Sequence, residues 1–180
     1  MKLARVWHLH CADRERYHSA GASVRSPVLL FSHPGLWMSL QHRISAWSYA
    51  KGRFGRIFGH LIWLRLVRHF GCYVSPRAQI GPGLRLPHPT SIIIGDGVKI
   101  SENVTIFQNV TLGSRDGISG YPTVDSDVVI FTGAVIIGDI RIGTGATIGA
   151  NAVVIRDVAP GSVVAGIPAA IITPRKQTTV

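Results

Sequence analysis

Two short stretches of the 180-residue chain carry side chains that could do chemistry, and both interrupt a regular pattern. Pro87-His88-Pro89 sets an imidazole between two prolines. Imidazole titrates near neutral pH, so it can take a proton from a weakly acidic group and return it. The second stretch, Gly113-Ser114-Arg115-Asp116-Gly117-Ile118-Ser119-Gly120-Tyr121-Pro122, is polar and glycine-rich. Such an insertion, extruded from a rigid scaffold, is a common place for a binding site. The two cysteines, Cys11 and Cys72, lack metal spacing and indicate no disulfide framework, so no metal is expected and a reduced cytoplasmic setting fits.

The pattern that these stretches interrupt runs from residue 74 to 158. Aliphatic residues recur every six positions at Val74, Ile80 and Leu86, then at Ile94, Ile100, Ile106 and Leu112. The phase resumes with Val124, Ile130, Ile136, Ile142, Ile148 and Val154. Four residues after each except Leu112 sits a small or branched one: Ala78, Leu84, Thr90, Val98, Val104 and Val110, then Val128, Ala134, Ile140, Ala146, Ala152 and Val158. A hexapeptide period marks a parallel β-helix, three hexapeptides closing one triangular coil and coils stacking about 4.8 Å apart. A conventional sandwich would not keep thirteen aliphatics in phase. The first break spans eight residues from Leu86 to Ile94, and the second spans two hexapeptides from Leu112 to Val124.

The rest of the chain must support that scaffold. Residues 1–27 read as a weakly ordered lead-in with no uninterrupted apolar run of the signal-peptide kind. Residues 28–71 read as a helical annex. One helix is expected around Val28 to Ala50, with Gly52 as its stop, and a second over Phe54 to Phe70, ended by Gly71. Residues 72–172 form the β-helix and 173–180 a tail. The net charge is +10, and most Lys and Arg precede residue 86, which makes a basic annex on a nearly neutral coil. Anionic partners follow from that balance. For the basic helix 53–70, peripheral contact with a membrane is one expectation and packing on the first coil or a neighbouring subunit the other; it is a poor membrane span. The outer faces carry aliphatics such as Ile92, Ile93, Val129, Val135, Ile137 and Val153, more than a monomer leaves in water, so a trimer is expected.

Local sequence narrows the reading. Ser32-His33-Pro34-Gly35, His42-Arg43-Ile44 with Trp47, Ile80-Gly81-Pro82-Gly83-Leu84, His88, Gln108-Asn109-Val110-Thr111-Leu112-Gly113 and Ala165-Gly166-Ile167-Pro168-Ala169 together resemble the serine acetyltransferase family. The resemblance runs from about residue 28 to 172. It implies a left-handed β-helix with an N-terminal helical annex and a homotrimer with sites between subunits. It also implies acetyl transfer from acetyl-CoA to a hydroxyl, with no nucleic-acid partner.

By that resemblance His88 is the catalytic general base. Gly113, Ala134 and Ala152 would line the acetyl-CoA groove, where small residues let the pantetheine approach. Arg156, with Arg175 and Lys176, would meet its phosphates. Three positions depart from the family pattern: Pro87 replaces an Asp, Tyr73 replaces an acidic residue that orients the His, and Gly120-Tyr121 replace an Arg-His pair. Those charges would hold an amino acid's ammonium and carboxylate, so their loss points to a sugar or polysaccharide-precursor hydroxyl, with Tyr73 and Tyr121 against the acceptor. The alternatives are serine O-acetylation and a non-catalytic β-helix scaffold.

Overall fold

The β-helix is built as the hexapeptide period requires, from short strands that turn a corner and stack on the coil below. The computed structural model describes residues 3–19 and 33–172. Three parallel sheets form the walls of a prism. Face A stacks β1 (Tyr73–Val74), β3 (Ile93–Ile94), β6 (Thr111–Gly113), β9 (Val135–Ile137) and β12 (Val153–Val154). Face B stacks β2 (Gln79–Ile80), β4 (Lys99–Ile100), β7 (Thr123–Val124) and β10 (Arg141–Ile142). Face C stacks β5 (Thr105–Ile106), β8 (Val129–Ile130), β11 (Thr147–Ile148) and β13 (Val163–Ala165), and closes with β14 (Ala170–Ile171), which runs antiparallel to β13.

Of the thirteen aliphatics read from the repeat, twelve are buried and Ile80 is half-buried. Their neighbours in the second set are buried too, with one exception. Thr90 is exposed, and Ile92, expected on the outside, is fully buried. The two extra residues of the first break are absorbed before Ile92, so the inward phase counts back from Ile94 rather than forward from Leu86. Ile92 therefore stacks under Val110, and its carbonyl receives the Tyr73 N–H at 2.8 Å. Ile93, Val129, Val135, Ile137 and Val153 do reach the outer surface, at least in part.

Among the described residues three helices cover one end of the prism. α1 (Leu3–Ser19) lies where a weakly ordered lead-in was expected. Its inward face is Val6, Leu9, His10, Asp13 and Tyr17, in helical spacing but half polar, which hides the period from a hydrophobicity reading. α2 (Pro34–Tyr49) starts with a proline in its first turn. The expected earlier start at Val28 falls outside the described residues. α3 (Gly52–Phe70) begins at the glycine expected to stop α2 and ends on Gly71, whose φ of 62° gives the left-handed cap.

The annex is fixed to the coil by buried polar contacts. Arg43 on α2 donates to Asp13 on α1 through Nε (2.8 Å) and Nη2 (2.7 Å), and to the carbonyls of Ile80 (3.2 Å) and Gly81 (2.8 Å). Asp13 also accepts the Leu84 N–H at 2.9 Å. His42 donates from Nε2 to the Ser75 carbonyl at 3.0 Å. Burial pushes His42 down from 6.5 to about 4; the Ser75 bond opposes this and nearby Arg43 adds to it. The unfolded chain binds a proton at His42 near pH 6.5 and the folded chain only near 4. Its contribution to stability is therefore complete above the higher value and is lost as the pH falls toward the lower one, a gap worth about 3 kcal/mol. Denaturant titrations from pH 7 to 4 are expected to show stability falling through this window. His42→Gln should flatten that fall, and an unchanged acid limb in the variant would refute the assignment.

Candidate functional site

His88 stands at the corner between faces C and A. Coil-to-coil pairing along face A separates Ile93 from Thr111 and Val135 from Val153 by one regular coil, but Tyr73 pairs with Ile93 across a coil two residues longer. The two extra residues are taken up in the Pro87-to-Ser91 bulge. The Thr90 N–H donates to the His88 carbonyl at 2.8 Å, and Ser91 turns the chain with φ of 53°. Pro89 is buried and His88 exposed, so the bulge is anchored while its imidazole faces outward. The His88 ring lies 6.4 Å from that of Phe107, which stacks on Phe131 one coil further at 5.1 Å.

The backbone leading into this bulge is held by a residue that the sequence did not suggest. The Tyr17 hydroxyl accepts the Leu86 N–H at 2.9 Å and donates to the Leu86 carbonyl at 3.0 Å. Both groups are buried, and burial pushes the phenol up to about 12, the Leu86 bond opposing. It stays protonated near neutral pH and keeps its donor. Gly35 makes the room: a Cβ there would collide with the Leu86 carbonyl and the Tyr17 hydroxyl. The signal available in the sequence was the helical spacing of Val6, Asp13 and Tyr17, obscured by its polarity.

The other expected site residues separate into three groups. Tyr73 begins face A at the same corner and is 46% exposed, but its ring meets Trp63 edge-on at 5.0 Å. It borders a cavity of about 280 Å³ lined also by Tyr49, His60, Ser75, Arg77 and Asp96. Tyr121 sits in the extruded loop, which leaves β6 on face A and enters β7 on face B, so within one chain it is at a different corner from His88. The Tyr121 ring is half-buried over Gly95 and Gly97, where a Cβ would strike it. It ties the loop to the coil.

Of the residues expected to line an acetyl-CoA groove, Gly113 fits and the two alanines do not. Gly113 is half-buried at the end of β6 with open space where a Cβ would point. Ala134 and Ala152 are fully buried inside the prism. Their carbonyls accept Thr111 and Val135 N–H groups at 2.9 and 2.8 Å, so neither side chain nor carbonyl is offered outward as a groove wall. They are small because the inner corner is narrow. Arg156 is exposed. Arg175 and Lys176 lie outside the described residues.

A cavity of about 700 Å³ lies elsewhere, between face B and helices α1 and α2. Buried Arg43 and His42 in its wall are already bonded to Asp13 and Ser75, so it is a seam of the annex and not the place of His88. Among the described residues no group of three metal-ligating side chains occurs.

A parallel β-helix of hexapeptide coils under a helical annex, with an outward imidazole fixed at one corner, defines the class: a hexapeptide-repeat acyltransferase. Comparison with known proteins agrees. The chain is 34% identical over 163 residues to the serine acetyltransferase of Mycobacterium tuberculosis, covering 89% of this chain and 69% of that one. It superposes on the Neisseria gonorrhoeae serine acetyltransferase in complex with serine with a TM-score of 0.86 at 29% identity, covering 95% of this chain and 70% of that one. On the Brucella abortus serine acetyltransferase in complex with coenzyme A the TM-score is 0.82 at 31% identity, covering 92% and 66%. The chain belongs to the serine acetyltransferase family, a family of O-acetyltransferases. It spans about two thirds of the length of these relatives. No protein-family model matches the sequence.

Proposed function

We propose that the protein transfers an acetyl group from acetyl-CoA to the hydroxyl of serine. The carrying observation is an exposed His88 on a backbone clamped by Tyr17, in a chain that matches a serine acetyltransferase over 89% of its length. His88 acts as general base. An alcohol is too weak an acid to ionise near pH 7, so the imidazole removes its proton as the oxygen attacks the thioester carbonyl. The thiolate of CoA leaves and takes up a proton, and the acetyl ester departs with the acceptor. Gly113 is the residue best disposed to let the pantetheine approach, and Arg156 is an exposed cation two coils further along. Acetyl-CoA as donor is supported by the coenzyme A complex of the Brucella abortus relative.

The reading includes a site shared between subunits. In one chain the extruded loop and His88 occupy different corners, and a neighbour can bring them together. The partly exposed outer column of Ile93, Val135 and Val153 on face A supports such packing in a trimer. Light scattering that found a stable monomer at micromolar concentration would remove this part.

The sugar acceptor expected from sequence has no support in the relatives described above, each named a serine acetyltransferase. One observation still favours it as a second reading. Pro87, Gly120 and Tyr121 carry no charge with which to clamp an amino acid's carboxylate and ammonium. A thiol-release assay with purified protein, acetyl-CoA and serine beside a panel of sugars separates the two. Serine-dependent release is expected. Release with a sugar and none with serine would overturn the serine reading, and release with neither would favour a scaffold.

A further inference from the structure

Helix α3 turns an apolar stripe away from the rest of the protein. Phe54, Ile57, Phe58 and Leu61 recur at i, i+3, i+4 and i+7 and are 54 to 79% exposed. The opposite side of the helix is locked on α2. The Ser45 hydroxyl donates to the Gly59 carbonyl at 2.7 Å, and a Cβ on Gly59 would press on the Ser45 carbonyl. This close contact fixes the rotation of α3, so the stripe cannot roll inward.

The charge around the stripe has one sign. Arg53, Arg56, Arg65 and Arg68 are all exposed, Arg65 and Arg68 continuing the line of Leu61 toward the C-terminus of the helix. None forms a salt bridge among the described residues. The helix has no acidic residue, and the sequence has none between Glu15 and Asp96. No described helix is long and apolar enough to cross a membrane.

We infer that α3 docks the protein on an anionic phospholipid surface. The helix lies in the plane of the headgroups, with Phe54, Ile57, Phe58 and Leu61 at the acyl boundary and the arginine guanidiniums on lipid phosphates. Charge complementarity selects this occupant. An uncharged apolar partner leaves four arginines unmatched, and a second copy docked helix against helix opposes four arginines with four more. A surface rich in phosphate matches both the apolar stripe and its cationic border. The inference does not rest on which acceptor is acetylated.

The test is co-sedimentation of the full-length protein with vesicles of phosphatidylcholine alone or with about a third phosphatidylglycerol, at low and high salt. Binding is expected to the anionic vesicles only, and to weaken as salt rises. Arg65→Glu with Arg68→Glu should lower the partition by at least about thirtyfold, since each surface cation is worth roughly a factor of five. Phe58→Ser with Leu61→Ser should abolish it, and acetyl transfer by both double variants in solution should match wild type. No wild-type binding to anionic vesicles, or equal binding to neutral ones, would overturn the inference. So would a smaller assembly by light scattering for the Phe58→Ser, Leu61→Ser protein without lipid, which would mean that a second copy covers the stripe.

Discussion

His88→Ala is expected to lower turnover by roughly 10² to 10⁴-fold, the usual worth of a positioned general base. The acetyl-CoA dissociation constant should hardly move, because the cofactor site along the coil does not require the imidazole. Folding should also survive. His88 is exposed on a two-residue bulge outside the inward register, and the neighbouring anchors, Leu86, Pro89 and Ile92, are left in place. A steady-state assay of both proteins beside a CoA titration decides the matter. Full activity in the variant would remove His88 from the mechanism. A parallel loss of CoA affinity would give it a binding role instead of a proton-transfer role.

How much of this was legible in the sequence follows from what each position packs against. The coil residues could be read because one physical demand, an aliphatic at every inward corner, repeats without variation from Ile94 to Leu112 and from Val124 to Val154. The first coil was read with one error, since an insertion leaves the phase undefined inside it, and Thr90 and Ile92 exchange their expected places. Both departures from the period were legible as interruptions of the coil, and His88 is exposed at one of them. Ala134 and Ala152 were misread because smallness has two causes, a ligand outside or a tight corner inside, and only burial distinguishes them. The seat of Tyr121 was not legible for a related reason: Gly95 and Gly97, remote in sequence from the loop, vacate the surface on which its ring lies. The role of α1 was hidden because the residues facing the coil include the polar His10 and Asp13, and the partners of Asp13 lie on other elements, far off in sequence.

Asp13→Ala should be the most destabilising single substitution in the annex, at about 3–5 kcal/mol. Asp13 and Arg43 are 0 and 3% exposed, and they meet through two bonds of 2.7 and 2.8 Å. Removing the carboxylate leaves a guanidinium in the interior with only the Ile80 and Gly81 carbonyls, and strips the Leu84 N–H of its acceptor. The cost comes from the orphaned charge more than from the lost attraction. Asp13→Leu combined with Arg43→Met should therefore recover much of the stability in denaturant unfolding. The consequence should reach the site. Without Asp13, α1 loses its buried ion pair and its bond to Leu84, and Tyr17, whose hydroxyl secures both backbone groups of Leu86, shifts with the loosened helix. Turnover in Asp13→Ala is then expected to fall even where circular dichroism shows the β-helix still folded, and to return in the double variant as α1 repacks. An Asp13→Ala protein as stable as wild type would show that the ion pair does not hold α1. A destabilised one with full turnover would show that the Leu86 clamp is not needed to present His88.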